Sequence, residues 1–384
     1  MKEYRRFCLN LLLATACMSS GIAVFNTLID PYGILNSPNM ARLNQNKISK
    51  STRNARLFKA VDIQQVKPVT LFLGTSRAER GLDPSHPIFA EEHPVYNAAL
   101  PAANQYEVLR YLEHAIANQP DLERVILGID FFMFNEFNLG KAGFAESRLE
   151  KTDITLRDLF DVTFSVKATR SSLLTIAANV RGSDSTSYRD DGAWIHRNDQ
   201  NVEKNLQKML EADLRETYQM YQLDNDAFNH LRSMLALCQQ NNIEVKVFIS
   251  PAHATEWEAI RAAGLWSTFE EWKRKIVEIT PVWDFSGYNS VTTEAINPAM
   301  KNYSDSSHYS PTVGNLVLNR LYDTAESVPA DFGVWLTPAN IETHIQQIQA
   351  DRARWAAQNA NVVQMVQAIE RRVTESKSKS GVGE

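Results

Sequence analysis

The sequence predicts an α/β fold: a mostly parallel sheet with helices on both faces, preceded by one N-terminal transmembrane helix. Three observations carry this. Residues Phe7 to Ile29, "FCLNLLLATACMSSGIAVFNTLI", hold no charge and follow the basic "MKEYRR". At about 1.5 Å per residue, a helix of that length crosses a bilayer core. Beyond it, short apolar runs stop at glycine or proline, as strands buried on both faces do. Those runs alternate with amphipathic helical patterns, the rhythm of a parallel sheet covered on both sides.

Each element follows in order. Residues 30–66 are polar and mixed, with Pro31, Gly33 and Pro38, and read as a juxtamembrane linker running into a helix near Ala55–Gln65. "VTLFLG", Val69 to Gly74, is the first strand, and "PVYNAALP" the second. In "NQYEVLRYLEHAIANQ", Tyr106, Leu109, Leu112, Ala115 and Ile116 recur at helical spacing. "RVILGIDFFMF" is a third strand. Residues of about 136–220, with "DITLRDLFDV" and "YRDDGAWIHRND", break the rhythm and read as an insertion that caps the sheet edge. "DNDAFNHLRSMLALCQQNN" is a helix capped by Asp224 or Asn225, "IEVKVFISP" a fourth strand, "TFEEWKRKIVEI" a helix and "VWDFSGY" a fifth strand. "SPTVGNLVLNRLYDTA" is a helix with proline in its first turn. After Pro338 a long helical pattern runs to a low-complexity end. The expected division is an anchor at 1–29, a linker at 30–66, an α/β domain at 67–335, and a C-terminal helix with a disordered tail at 336–384.

The chain has 384 residues, is 44% hydrophobic and 22% charged, and carries a net charge of −5. That composition is globular and does not suit a nucleic-acid partner. Small residues at Ala14 to Ala16 resemble a signal-peptide cleavage site, but the apolar stretch runs on, which favours an uncleaved anchor. Cys17 is a weak candidate for lipidation, because Ala14 stands where such a signal carries leucine. The basic cluster precedes the span, so the positive-inside rule sends the body out of the cytoplasm, although Arg42, Lys47 and Lys50 lie on the far side. The expected location is the inner membrane, single-pass, with the body in the periplasm or outside the cell. Cys238 is the one thiol beyond the span, so the body has no internal disulfide and Cys238 is expected buried on a helix.

Two stretches carry chemistry. In "LFLGTSRAERGLDP", Ser76 lies just past the first strand, where open α/β sheets bind ligands. It is either a nucleophile or a turn serine, and a nucleophile needs a base. In "NYSDSSHYSPT", Asp305 precedes His308 by three residues. A carboxylate there can fix the imidazole tautomer and leave the far nitrogen to take a serine proton. The bland alternative is a capping loop with a surface histidine. His86, His93 and His114 have no such context, whereas His253, at the end of the fourth strand, is a candidate cleft residue. No phosphate loop and no metal-ligand spacing stands out, and no cofactor is expected.

Gly-Thr-Ser after the first strand and Asp-x-x-His before the last core helix follow the chain order of the SGNH (GDSL-like) hydrolase superfamily, which the sequence resembles. "YNAALPAA" resembles its second block and "VILGIDFF" its third. The likeness covers roughly residues 69–135 and 240–325 and leaves the insertion and C-terminal helix unexplained. It implies a flavodoxin-like three-layer sheet and a triad of Ser76 as nucleophile, His308 as general acid–base and Asp305 as orienter. The implied oxyanion donors are the backbone N–H groups of Ser76 and Ala102. Ala102 stands where the family has glycine, and serves only if no positive φ is needed.

The third block departs further. Asp130 stands where the family's asparagine donates to the oxyanion, and a carboxylate cannot donate. Either Asn135 or Asn97 substitutes, or the site is weak, or Asp130 orients Arg77 instead. Arg77 either holds an anionic group or braces the loop. Exported, anchored members of the superfamily resemble proteins that add or remove acetyl groups on surface polysaccharides. The expectation is therefore an esterase or O-acetyltransferase acting through an acyl-enzyme, with a polysaccharide or acyl-ester substrate, membrane contact through residues 7–29, and a protein partner in an acylation or secretion complex. Trp194, Trp257 and Trp266 are candidates to line a glycan groove. Two rivals remain: a hydrolase of small esters or lipids, and a non-catalytic scaffold, which Asp130 favours.

Overall fold

A computed structural model of the chain describes residues 1–183, 186–196 and 201–380. In chain order the elements are α1 Lys2–Ile29, α2 Ala55–Val66, β1 Thr70–Leu73, α3 Ser76–Gly81, β2 Val95–Asn97, α4 Gln105–Asn118 and β3 Arg124–Ile129. Then come α5 Glu146–Leu149, α6 Leu156–Thr163, α7 Val166–Val180, α8 Val202–Ala212, α9 Asn225–Gln240 and β4 Glu244–Ile249. The chain continues through α10 Ala254–Ala262, α11 Trp266–Ile279, β5 Val282–Asp284, α12 Pro311–Leu321, β6 Val334–Leu336, α13 Ile341–Gln358 and α14 Ala360–Ser380. Two compact units result, one of residues 1–66 and 142–190, the other of 67–141 and 191–384.

The larger unit carries a six-stranded sheet in the order β2-β1-β3-β4-β5-β6. Its first five strands are parallel, in register Phe72 with Ile126 and Leu127 with Val247, and β6 pairs antiparallel with β5. All four residues of β1 are buried, which explains its unbroken apolar run. The core on this sheet joins Phe72, Ile126, Phe248 and Phe285 to Val313, Val317 and Leu318 of α12. Leaving β1, Gly74 has φ 142°, and a Cβ there would stand 2.7 Å from the Gly128 carbonyl. Only glycine turns the chain so closely past β3. On α12, a Cβ at Gly314 would stand 1.8 Å from the Gly81 carbonyl, so α3 and α12 pack backbone against backbone.

Several expectations change. The strand β6 is too short and too exposed to show a pattern, and it places the predicted boundary at 335 inside the sheet. The long C-terminal pattern is two helices, α13 and α14, meeting at Asn359. The predicted tail beyond Ser380, and Arg197 to Asp199 of the insertion, lie outside the described residues. The insertion divides: 142–190 belongs to the smaller unit, and 191–220 to the larger.

The smaller unit is built on α1, which is long and apolar enough to cross a membrane. Residues 30–66 are part of this compact unit rather than a linker. Their polarity misled because it is buried in pairs: Lys50 Nζ lies 3.0 Å from Asp62 Oδ2, and Asp30 accepts from the N–H of Ile34 and Leu35. Cys238 is buried on α9, and burial pushes its thiol up to about 11.

Candidate active site

The carboxyl ends of β1 and β3 and the loop before α12 meet at Ser76. Thr75 caps α3 by accepting from Arg77 N–H at 3.2 Å, which presents Ser76 as the first residue of the helix. Ser76 Oγ lies 2.9 Å from His308 Nε2. His308 Nδ1 lies 2.8 Å from Asp305 Oδ2 and 3.0 Å from Oδ1. Asp305 Oδ1 also accepts the backbone N–H groups of Ser307 and His308, each at 2.8 Å. The aspartate therefore shapes the loop and holds the ring. Facing a carboxylate, Nδ1 carries the proton, and Nε2 is left to accept from the serine hydroxyl. Burial opposes ionisation of Asp305, but the His308 ring, the hydrogen bonds from it and Arg80 outweigh burial and hold the carboxyl down to about 2.

Ser76, His308, Ser307 and Ala102 share the wall of a cavity of about 440 Å³. Arg80, Lys141, Asp213, Glu216, Phe132 and Phe137 also line it, so it offers both charge signs and two aromatic rings. Ala102 has φ 50°. The proviso that no positive φ is needed thus fails: alanine adopts the conformation that glycine adopts freely, at a cost of about 1–2 kcal/mol. Its N–H is still present, on a residue that lines the same cavity as Ser76.

Asp130 does not line this cavity. It is buried beneath Arg77, accepting from Arg77 Nη1 at 3.1 Å and from the Thr75 hydroxyl. Arg77 is buried as well, so it does not hold a substrate anion. Its Nη2 donates to Glu256 Oε1 at 2.8 Å and its Nε to Ser307 Oγ at 2.9 Å. Burial opposes the cation, but Asp130 and Glu256 outweigh it and keep the guanidinium charged. Arg77 is therefore a brace between β3, α10 and the loop carrying His308.

Asn97 is not a substrate ligand. Its Nδ2 donates to the Ala78 and Leu82 carbonyls, each at 3.0 Å, which fastens α3 to β2. Asn135 does line the cavity, but its Nδ2 donates to the Thr217 carbonyl at 3.1 Å and its Oδ1 accepts from Phe137 and Gln222 N–H. Asn97 is thus spent on the backbone, whereas Asn135 is held in the cavity wall with one of its two amide N–H groups committed to Thr217.

His253 does not reach the cleft. It is buried as the N-cap of α10, with Nε2 2.9 Å from the Glu294 carbonyl and Nδ1 accepting from Thr255 N–H. Burial, only partly offset by the Glu294 bond, pulls it from 6.5 to about 4. The unfolded chain therefore takes up the proton first. The contribution of neutral His253 is complete above about pH 6.5 and is lost as pH falls toward 4, a change of about 3 kcal/mol. His253→Asn keeps a capping acceptor and removes the titration. Denaturant unfolding at pH 7 and pH 4 should show wild type losing about 3 kcal/mol more than the variant; parallel losses would overturn this.

Sequence reasoning missed three neighbours. Asp213, on a π-helical turn at Asp213–Thr217, sits in the cavity wall. Burial, then the charge of Glu256, pushes its carboxyl well above the ordinary range. Tyr218 on the same turn donates to Glu256 Oε1 at 2.6 Å. No spacing links these residues to Ser76; only the fold does. Arg80, one helical turn from Ser76, could have been suspected. Its guanidinium lies 4.9 Å from the Trp194 ring centre and 3.9 Å from Asp305 Oδ2. Of the three tryptophans, Trp194 alone stands beside the site: Trp257 is buried, and Trp266 packs under Arg261. Among the described residues, no cluster of His, Cys, Asp and Glu is arranged to hold a metal.

No protein-family model matches the chain, and no curated protein matches it.

Proposed function

We propose that the chain is a membrane-anchored serine acyl-transfer enzyme of SGNH type, with its body outside the cytoplasm, acting as an esterase or O-acyltransferase on a cell-envelope or exported polysaccharide. The observation that carries this reading is the bonded chain Ser76–His308–Asp305, drawn from segments 232 residues apart. The strand order β2-β1-β3-β4-β5 supports it, since that is the flavodoxin-like order with its crevice at the β1/β3 switch point. Asp130, committed to Arg77 and outside the cavity wall, does not set a negative charge against an oxyanion there, although it supplies no donor either.

In this reading Ser76 Oγ attacks the ester carbonyl as His308 Nε2 takes its proton. The Ser76 and Ala102 N–H groups receive the oxyanion, with one donor fewer than the family's three. His308 then protonates the departing alkoxide, leaving acyl-Ser76. Water or a sugar hydroxyl, deprotonated by His308, completes the cycle. The polysaccharide substrate rests on the resemblance; a cavity wall with both charge signs, and the aromatic Trp194 beside Arg80, suit a polar sugar chain. Incubating the purified chain with an activated acetyl ester and quenching in acid should leave the peptide containing Ser76 heavier by one acetyl group. Added acceptor polysaccharide should clear that label. An unmodified Ser76 peptide, with ester turnover intact, would sink the acyl-enzyme.

A further inference from the structure

The smaller unit keeps an apolar face that its own packing does not cover. Two helices present it. On α6, Leu156, Leu159 and Phe160 are exposed, with Phe164 just past its end; on α7, Val166, Leu173, Leu174 and Val180 are exposed. Leu156 is 85% and Val166 87% exposed, and the stacked rings of Phe160 and Phe164 are 60% and 43% exposed. A soluble surface scatters such residues singly; here they crowd onto two consecutive helices.

What lies beside this face decides its occupant. Both helices pack on α1. Ser19, Ala23 and Asn26 of α1 are at least half-covered at a spacing of four and three, a single stripe along the helix. Asn26 Nδ2 donates to the Thr163 carbonyl at 2.7 Å and to Thr169 Oγ1 at 3.1 Å, and Ser172 Oγ donates to Asn26 Oδ1 at 2.8 Å. One asparagine is thus saturated by α6 and α7, which accounts for its place in α1. With 28 residues α1 is about 42 Å long, against about 30 Å for the hydrocarbon core, so its last turns emerge where α6 and α7 grip it. Charge agrees. Over 156–181 the exposed ionised side chains are Arg157, Lys167, Arg170 and Arg181 against Asp161. Exposed apolar side chains among basic ones are the composition of helices that lie in an anionic membrane surface.

We propose that α6 and α7 form a membrane-docking face, seated in the anionic leaflet from which α1 emerges. The smaller unit is then fixed to the bilayer at three points, a span and two interfacial helices, rather than swinging on one tether. The inference rests on α1 crossing the membrane and is independent of acyl transfer.

The test uses the full chain in phosphatidylcholine–phosphatidylglycerol vesicles. With Cys8, Cys17 and Cys238 replaced, an environment-sensitive fluorophore is placed singly at Phe160→Cys, Leu173→Cys or Lys151→Cys, and, as a marker for the span, at Cys17 restored alone. Nitroxide-bearing lipids should remove most of the emission from positions 160, 173 and 17 and little from position 151. If position 17 is quenched while 160 and 173 behave like 151, the docking face is wrong and the anchor stands. If position 17 is also unquenched, the span and the docking face fall together. If unlabelled Leu173→Cys crosslinks between two chains and its fluorophore is not quenched, the face belongs to a second copy and the proposal is overturned.

Discussion

In the proposed reaction, replacing His308 with alanine will lower acyl transfer to Ser76 by about 10⁴-fold or more, with the fold intact. The reason is local. Ser76 Oγ has its 2.9 Å partner in His308 Nε2, and without it the hydroxyl keeps its proton at neutral pH. Asp305→Asn is the sharper version. Asparagine retains a carbonyl oxygen for the Ser307 and His308 N–H groups, so the loop keeps its shape. It also points an amide N–H toward Nδ1, which forces the ring into the tautomer protonated at Nε2. That nitrogen can no longer accept from Ser76, so a loss of about 10⁴-fold is expected again. The two losses should not add, because both remove the same proton acceptor. Acetyl-ester turnover of the single and double variants measures this, with thermal melting as the check on folding. A near-wild-type rate in either single variant would remove His308 as the base.

Much of the larger unit was legible because its strands are buried on both faces. "VTLFLG" announces itself as an apolar run and is an inner strand, whereas of "RVILGIDFFMF" only Arg124–Ile129 is strand: the chain leaves the sheet at Asp130 and Phe131–Phe134 form a 3₁₀ turn. β6 was not legible, since three residues on an edge carry no period. Residues 30–66 looked like a linker because sequence polarity says nothing of pairing: the Lys50–Asp62 ion pair is buried, though each residue alone reads as surface. The serine, histidine and aspartate could be found because motif spacing and strand ends are local signals. The direction of a side chain is not. Asp130 and Arg77 were each recognised as important, with two roles apiece, and only three-dimensional placement turns both away from the cavity and toward each other. Glu256 had no signal at all, because its significance lies in sharing one buried cation with Asp130; Asp213 had none because its carboxyl is raised by burial and by Glu256, which the fold brings beside it.

That shared cation makes the second large effect. Arg77→Met will destabilise the chain by about 3–5 kcal/mol, because it strands the carboxylates of Asp130 and Glu256 in the interior. Methionine fills much of the stem's volume, so the loss is electrostatic rather than a cavity. Arg77→Lys should rescue little: three partners in three directions, Asp130, Glu256 and Ser307, match a guanidinium fork and not a single ammonium. Adding Asp130→Asn and Glu256→Gln to Arg77→Met should recover a substantial part, since the uncompensated charge is then gone. Denaturant unfolding at neutral pH reads the gap between wild type, Arg77→Met and the triple variant. Activity should fall as well, because the Arg77 bond to Ser307 steadies the loop between Asp305 and His308. A small gap, or a triple variant no more stable than Arg77→Met, would mean that Arg77 is not the charge holding these carboxylates in place.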